Sequence, residues 1–190
     1  MQDFVAYFTK PGCSIEASDF NKYGLSAELK HYKKDQLLIT QGQPAQKLYF
    51  LVKGIVRYMS ISPEGKEFTQ SFAYAPSVAG STRAMTRKTP ALFSIVALED
   101  VLCFEFEWSK FFATMEPQPG FLAAYNCLLE NMFIKKEERE YAFVQHSAEQ
   151  RYLDFLETNH QLRDKIPLKM IASHIGITPI ALSRIRKKLK

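Results

Sequence analysis

The hydrophobic pattern of this chain changes its period once, at about Trp108. Between His31 and about Glu107, short runs rich in β-branched and aromatic residues recur at intervals of roughly ten residues, with Gly or Pro between them. After Trp108, apolar residues recur at the spacing of about 3.6 residues that marks one face of a helix. This change predicts a β domain followed by helices.

The first part of the pattern predicts a small β barrel or sandwich. The predicted strands are residues 36–40, 47–53, 55–61, 67–73, 93–98 and 101–106. Between two of them, Pro63-Glu64-Gly65-Lys66 predicts a hairpin turn, because Gly65 suits the positive φ that such turns need. Residues 1–30 predict short helices and loops.

The helical part begins with a long helix that carries two apolar stripes. Phe121, Tyr125, Leu128 and Met132 form the first stripe, and Leu122, Leu129 and Phe133 form the second. Two stripes need two covering surfaces, so we expect one against the β domain and the other against the same helix of a second subunit. The first stripe is assigned to this dimer interface, and a helix buried within one chain is the alternative. Ser147 and Gln150 resemble a capping box for the next helix, which places a hinge near residues 144–147.

The final residues, 166–190, predict two helices joined by a short turn. Ala172 lets the helices approach closely, and Gly176 takes the positive φ of the turn. Thr178 can cap the second helix, and Pro179 can begin it because the first helical amide has no partner within the helix. The inward residues of the second helix are Leu182, Ile185 and Leu189, and the exposed ones are Ile180, Ser183, Arg184 and Lys187.

Positive charge is concentrated at the same end. Residues 163–190 hold eight Lys or Arg and one acid, a formal +7, whereas the other 162 residues hold 17 basic and 19 acidic residues, a formal −2. A polyanion-binding module joined to a nearly neutral domain has this distribution, and the exposed helical face suits a DNA major groove. The candidate DNA-binding residues are Lys169, Thr178, Ile180, Ser183, Arg184, Lys187 and Lys188.

The sequence shows no membrane, metal or catalytic signal. No apolar run approaches the ~20 residues that cross a membrane, and the N-terminus MQDFVAYFTK lacks the features of a signal peptide, so a cytoplasmic protein is expected. Cys13, Cys103 and Cys127 are widely spaced without a CxxC pair, and Cys103 and Cys127 are predicted to be small hydrophobes. The four histidines are scattered, unlike the clustered ligands of a cupin-like metalloenzyme. We therefore expect no metal, no cofactor and no enzymatic activity, with the metalloenzyme as an alternative.

Three stretches resemble the Crp/Fnr superfamily of bacterial transcription regulators. Residues 41–72 look like the front of a cyclic-nucleotide-binding domain, and residues 94–106 are similar to its closing strands. The third stretch is the pair of helices in residues 166–190, which resembles a helix-turn-helix. The resemblance implies an α+β protein with an N-terminal β roll (a double-stranded β-helix, cyclic-nucleotide-binding-like), a long dimerisation helix and a C-terminal all-α helix-turn-helix domain. The implied boundaries are 1–115 for the sensor domain, 116–146 for the dimerisation helix and hinge, and 147–190 for the DNA-binding domain.

The segment that corresponds to the family's phosphate-binding cassette departs from the family pattern. Gly80 matches, but Ser81 replaces the ribose-binding glutamate, and Ala91 falls at the position of the arginine that binds the cyclic phosphate. Burying a phosphate without a cation is costly, so control by cyclic AMP is not expected. The candidate pocket for an unidentified small-molecule effector consists of Gly80, Ser81, Thr82, Arg83 and Tyr125. Arg83 and Arg87 either supply a displaced cation for another anion or are ordinary surface arginines.

The resemblance also implies partners: double-stranded DNA, a second copy of the chain and RNA polymerase. A homodimer would place two recognition helices about 34 Å apart on a pseudo-palindromic operator. Arg184 coincides with a base-contacting arginine of the family, whereas Ile180 stands where relatives often carry polar readers. Relatives commonly continue into a β-hairpin wing, so Lys187, Lys188 and Lys190 are expected to contact phosphates instead. The alternative is a sensor or adaptor module whose basic end contacts acidic protein or RNA.

Overall fold

Eight strands and seven helices make up the part of the chain that the computed structural model describes, residues 16–162 and 165–189. The strands are β1 (Leu29–Tyr32), β2 (Leu37–Ile39), β3 (Lys47–Lys53), β4 (Ile55–Ile61), β5 (Glu67–Tyr74), β6 (Ser77–Ala79), β7 (Ser94–Ala97) and β8 (Val101–Glu107). The helices are α1 (Ala17–Asn21), α2 (Thr82–Arg87), α3 (Trp108–Met115), α4 (Phe121–Gln145), α5 (Ala148–Thr158), α6 (Leu168–His174) and α7 (Pro179–Lys188), with a 3₁₀ turn at His160–Leu162.

The described residues form two compact units. The first holds the described residues up to Ser60 together with Ser71–Glu130. The second holds the tip of the β4–β5 hairpin, Ile61–Gln70, together with the described residues from Asn131 onward. The hairpin and α4 therefore contribute residues to both units.

The strands form two four-stranded sheets, with strand orders β1-β8-β3-β6 and β2-β7-β4-β5. Neighbouring strands run antiparallel, with Phe50 opposite Phe104 in the first sheet and Tyr58 opposite Ile95 in the second. The predicted β roll is confirmed, and β3 and β4 begin and end at the predicted residues. The sequence pattern does not predict β1, which has no fully buried residue, or β6, which is three residues long.

Aromatic rings form one of the two cores of the first unit. Phe20 is fully buried, and its ring centroid lies 5.0 Å from that of Phe50 and 4.6 Å from that of Phe106. Helix α3 adds Phe111, whose centroid lies 5.3 Å from that of Phe50. Such ring pairs contribute about 0.5–1.5 kcal/mol each beyond the burial of their area. The cluster joins α1 and α3 to the sheet that contains β3 and β8.

The second core of this unit is aliphatic. Leu51, Val56 and Ile95 are each fully buried, and Cys103 is buried with them. Burial raises the pKa of the Cys103 thiol to about 12, so the thiol stays protonated and unreactive at neutral pH. Cys103 thus behaves as the predicted small hydrophobe, whereas Cys13 lies outside the described residues.

The first apolar stripe of α4 begins in the core of the first unit. Phe121 is 2% exposed, and the ring of Tyr125 lies 5.6 Å from Trp108 and 5.6 Å from Phe112, measured between centroids. The assignment of Phe121 to a dimer interface is therefore corrected, whereas Tyr125 is half-buried and its assignment stays a prediction. These large rings find apolar partners on α3 of the same chain, and periodicity shows two apolar faces without showing which one the chain covers itself.

The helices of the second unit pack around a small core. Tyr152 and Phe155 of α5 are 6% and 3% exposed, and Ile171 of α6 and Leu182 of α7 are 1% and 0% exposed. Ser147 caps α5 as predicted, because its Oγ accepts a hydrogen bond from the amide of Gln150 at 3.1 Å. The core therefore fixes which faces of α6 and α7 remain outside.

Candidate nucleic-acid interface

The turn between α6 and α7 has the hydrogen bonds of a Schellman motif. The amide of Ile177 donates to the carbonyl of Ala172 at 2.9 Å, and the amide of Gly176 donates to that of Ser173 at 3.3 Å. Gly176 has a φ of +76°, and an added Cβ would lie 2.6 Å from Cε1 of Phe143. Another residue here would therefore strain the backbone and would need the ring of Phe143 to shift.

Helix α7 begins as the sequence predicts. Thr178 is its N-cap, and the Oγ1 atom accepts a hydrogen bond from the amide of Ala181 at 3.1 Å. Pro179 follows at the first helical position, where an amide would have no partner within the helix. The hydroxyl hydrogen of Thr178 remains available to an acceptor such as a phosphate oxygen.

The face of α7 opposite Leu182 is open to solvent. Ile180 is 68% exposed, and Ser183, Arg184 and Lys187 are also exposed. Within residues 16–162 and 165–189, the side chains of Arg184 and Lys187 make no hydrogen bond or ion pair. Two cations and one large apolar side chain are thus presented together on the face that the sequence predicts.

The remaining predicted cations differ in their surroundings. Lys169 is exposed on α6. Lys188 forms an ion pair with Glu149 of α5, with 2.7 Å between Nζ and Oε2, although its side chain stays 71% exposed. Exposed pairs of this kind contribute about 0–1 kcal/mol, so a phosphate can compete with Glu149 for Lys188. Lys190 lies outside the described residues.

The hairpin tip contacts the end of α6 within the second unit. The amide of Thr69 donates to Oγ of Ser173 at 2.8 Å, and Nδ1 of His174 lies 3.0 Å from the carbonyl oxygen of Gln70. Since a carbonyl only accepts, Nδ1 carries the proton. Burial, with the charge of Arg139 nearby, lowers the pKa of His174 to about 4, so the ring is neutral at pH 7. Sequence patterns miss this contact because it joins positions 104 residues apart.

The predicted effector segment lies between β6 and α2. Ser81 is 2% exposed and caps α2, since its Oγ accepts from the amide of Ala84 at 3.4 Å. Arg83 is exposed, and its Nη1 donates to the carbonyl of Pro90 at 3.0 Å. Thr82 is exposed. The polar side chains of Ser81 and Arg83 thus form hydrogen bonds with the backbone of their own segment.

The predicted effector residues do not all lie in one site. The amide of Gly80 donates to the hydroxyl of Tyr58 at 3.3 Å, and burial raises the pKa of Tyr58 to about 12. Tyr125 instead belongs to the aromatic core beside α3. Ala91, at the family's arginine position, is 3% exposed, while the neighbouring Leu92 is 61% exposed. The position at which the sequence resemblance expects a cation is therefore buried and apolar.

Two further kinds of site are not found in the described residues. No group of three or more His, Cys, Asp and Glu side chains could hold a metal ion in these ranges. No described helix is long and apolar enough to cross a membrane. The helix-turn-helix and the effector segment are the candidate sites that the structure presents.

The comparisons with known proteins agree with this architecture. Residues 29–118 match the model of the cyclic nucleotide-binding domain. The structure of FixK2 from Bradyrhizobium japonicum is 18% identical with a TM-score of 0.74, over 87% of this chain and 85% of that one. The c-di-GMP-responsive global regulator CLP of Xanthomonas campestris is 13% identical with a TM-score of 0.74, over 90% and 91% of the two chains. This chain has the Crp/Fnr fold.

A third structure extends the same likeness. A variant of CooA from Carboxydothermus hydrogenoformans is 19% identical with a TM-score of 0.72, over 92% of this chain and 80% of that one. A comparison with curated protein sequences gives no significant match. The domain match ends before α4, so the likeness of the helix-turn-helix to the Crp/Fnr fold rests on the structures. The fold that the family resemblance implies is confirmed.

Proposed function

We propose that this chain is a transcription regulator that binds a specific DNA sequence as a homodimer. The observation that carries the proposal is the open face of α7, where Ile180 and Arg184 stand exposed opposite the fully buried Leu182. A recognition helix presents its first turns to base edges in the major groove in this way. The Crp/Fnr fold and the basic end of the chain support the same function.

The exposed face suggests how bases are read. The planar fork of Arg184 suits O6 and N7 of guanine, which accept two hydrogen bonds together. Ile180 cannot hydrogen-bond a base edge, but it can contact a thymine methyl group. Lys169, Lys187 and Lys188 are proposed to contact phosphates, which makes binding salt dependent. RNA polymerase as a further partner stays a prediction.

The dimer interface is proposed on an exposed apolar stripe of α4 that contains two residues of the second predicted stripe, Leu122 and Phe133, and adds Val144. Leu122, Phe133 and Val144 are 46%, 63% and 75% exposed, and their spacing of eleven residues keeps them on one face. Met132, at 42% exposure, and the half-buried Leu128 flank this stripe. A second copy of the same helix would cover these side chains, and a two-fold interface of this kind is self-complementary.

The regulator is proposed to act without cyclic AMP. Ala91 is buried at the position where relatives place arginine, and Arg83 donates to the carbonyl of Pro90. The Oγ1 atom of Thr89 is buried without a hydrogen-bond partner among the described residues, and buried hydroxyls are ordinarily satisfied. We therefore assign residues 1–115 to a sensor of a different small molecule, 116–146 to the dimerisation helix and 147–190 to DNA binding.

Selection of binding sites from a random duplex library tests the function. We expect enrichment of a pseudo-palindrome whose half-sites are centred about one helical turn, ~34 Å, apart. Arg184→Ala should weaken binding to the selected operator by roughly 1–3 kcal/mol and relax discrimination at one position in each half-site. Arg186→Ala is the matched control, because it removes the same charge from the same helix beside its buried face. Failure to enrich any duplex, together with binding to RNA or acidic protein, would favour the adaptor alternative.

Sedimentation analysis tests the dimer. Phe133→Glu should give a monomer, because it places like charges opposite each other across the proposed interface. Leu37→Glu is the control, since Leu37 is a 47% exposed apolar residue on β2 and not on α4. A dimer that survives Phe133→Glu with full affinity for the operator would place the interface elsewhere.

A further inference from the structure

Two arginines bind the last carbonyls of α6, where the turn into α7 begins. Nε of Arg151 donates to the carbonyl of Ile175 at 2.9 Å, and Nη1 donates to that of His146 at 2.7 Å. Nη2 of Arg139 donates to the carbonyl of His174 at 3.2 Å. One guanidinium group therefore joins the end of α6 to the residue that follows α4, and a second guanidinium group holds the same end of α6.

The ring of Phe143 contacts both guanidinium groups. The Cζ atoms of Arg139 and Arg151 lie 4.8 Å and 5.0 Å from its centroid, within the range of cation–π attraction. The same ring occupies the space that a side chain at Gly176 would need. We name Arg139, Phe143 and Arg151 the arginine clamp.

The chemistry of these contacts favours arginine over lysine. The last carbonyls of a helix lack partners within the helix and carry partial negative charge, so a cation stabilises them. The fork of Arg151 reaches two carbonyl oxygens at once, which the single ammonium group of lysine does not do in a fixed geometry. Because only residues 175–178 separate α6 from α7, the clamp on the end of α6 constrains where α7 starts.

We infer that Arg151 and Arg139 are positioning residues for DNA recognition, which set the angle of α7 through the end of α6 and do not contact phosphate. The inference rests on the proposed DNA-binding function. An arginine in a basic DNA-binding unit would ordinarily be assigned to phosphate, but here Nε and Nη1 of Arg151 already donate to protein carbonyls. A positioning residue affects the specific operator, whereas a phosphate contact affects every duplex.

The test compares Arg151→Lys and Arg151→Gln with the wild-type chain on the operator selected by the wild type and on a scrambled duplex, at several salt concentrations. Both variants should bind the operator about tenfold more weakly. A tenfold change in affinity corresponds to the free energy of about one hydrogen bond to a charged group. Both should bind the scrambled duplex within about twofold of the wild type, with an unchanged salt slope. Lys169→Gln is the control for a phosphate contact and should weaken both duplexes and lower the slope by about 1.

The opposite pattern overturns the inference. If Arg151 contacts phosphate, Arg151→Lys keeps the wild-type affinity, and Arg151→Gln weakens both duplexes and lowers the salt slope. Arg139→Lys gives a second variant, with a smaller expected loss because Arg139 makes a single bond at 3.2 Å.

Hydrogen exchange tests the clamp without DNA, and so separates its failure from failure of the proposed function. The amides of Gly176 and Ile177 close the turn, and their exchange should accelerate about tenfold in Arg151→Lys while the amides of β3 and β8 stay protected. Unchanged exchange of these two amides would reject the clamp even if the chain binds no duplex.

Discussion

Polar side chains in the effector segment and on α7 have different partners. Ser81 accepts from the amide of Ala84, and Arg83 donates to the carbonyl of Pro90, so both form hydrogen bonds within their own segment. On α7, Arg184 is exposed and makes no side-chain hydrogen bond or ion pair with any described residue. An anion that binds Arg83 would compete with its bond to Pro90, whereas an anion that binds Arg184 would displace no such bond. Likeness of a segment to a family's binding site therefore does not ensure that its groups are free to bind.

The buried titratable groups of the two units also differ. In the first unit, burial raises the pKa of Cys103 and of Tyr58 to about 12. In the second unit, burial lowers the pKa of His174 to about 4. Burial keeps these groups neutral in both units. The thiol and the phenol become charged in alkali and the imidazole becomes charged in acid, so the first unit should lose stability in alkali and the second unit in acid.

Acid should produce the largest effect, and it should act on the second unit. His174 has a pKa of about 4 in the folded protein, whereas the ordinary pKa of histidine is 6.5, so between these two values the unfolded state binds more protons. The contribution of neutral His174 to the free energy of unfolding is complete above pH 6.5. It is lost as the pH falls through 4, and the loss is at most about 3 kcal/mol. The fluorescence of Trp108, the single tryptophan, follows the first unit, and amide exchange in α6 follows the second. As the pH falls, the protection of the α6 amides, measured relative to their intrinsic exchange rates, should decrease before the fluorescence of Trp108 changes.

His174→Gln is the control for this effect, because it keeps a donor for the carbonyl of Gln70 and removes the titrating ring. The variant should lose the stability change between pH 6.5 and 4. In alkali, the first unit should respond instead. Burial raises the pKa of Cys103 from 9.0 to about 12, so its contribution to the stability of the first unit should be complete below pH 9 and should be lost above it. An unaltered acid response in His174→Gln would assign the acid sensitivity to other groups.

Replacing glycine in the turn of the second unit should have the next largest effect. Gly65→Ala at the hairpin should cost about 1–2 kcal/mol, because Gly65 has a φ of +80° but open space around it. Gly176→Ala, at a φ of +76°, should cost about 1 kcal/mol more, because its Cβ would also meet the ring of Phe143. Denaturant unfolding measures both. Equal losses would show that Phe143 moves aside freely and would weaken the role of the clamp.

Releasing Lys188 should have a smaller effect, on DNA binding. Glu149→Gln removes the carboxylate that pairs with Lys188, so affinity for any duplex should rise and the salt slope should grow by about 1. Glu157→Gln removes an exposed acid from the same helix and is the matched control. Equal gains from both variants would mean that net charge, and not release of Lys188, determines the affinity.

The smallest effect is expected from Arg83→Ala. The arginine is exposed and makes one hydrogen bond to Pro90, so its loss should cost less than about 1 kcal/mol of stability and leave DNA affinity unchanged. Thermal unfolding and the operator titration check both expectations. A loss of DNA binding in this variant would show that Arg83 is part of an anion site and that the contrast between the two segments is wrong.

The features that sequence patterns predicted correctly depend on neighbours in the chain. The cap at Thr178, the proline after it and the positive φ of Gly176 each follow from the sterics and hydrogen bonds of a few adjacent residues. The bounds of β3 and β4 follow from alternation within single strands. The open face of α7 follows from its helical period, because one buried leucine fixes the direction of the opposite side.

Other features depend on residues far apart in the sequence. Periodicity cannot show that α3 covers Phe121, that Arg151 binds the end of α6, or that Gln70 accepts from His174. The sequence by itself determined that a β domain precedes helices, and it determined the helix-turn-helix and its exposed face, since local backbone preferences suffice for these, whereas the β roll followed from the family resemblance. Only the tertiary structure decided which apolar face the chain covers itself and which arginines are engaged, because packing volume and hydrogen-bond partners come from distant segments.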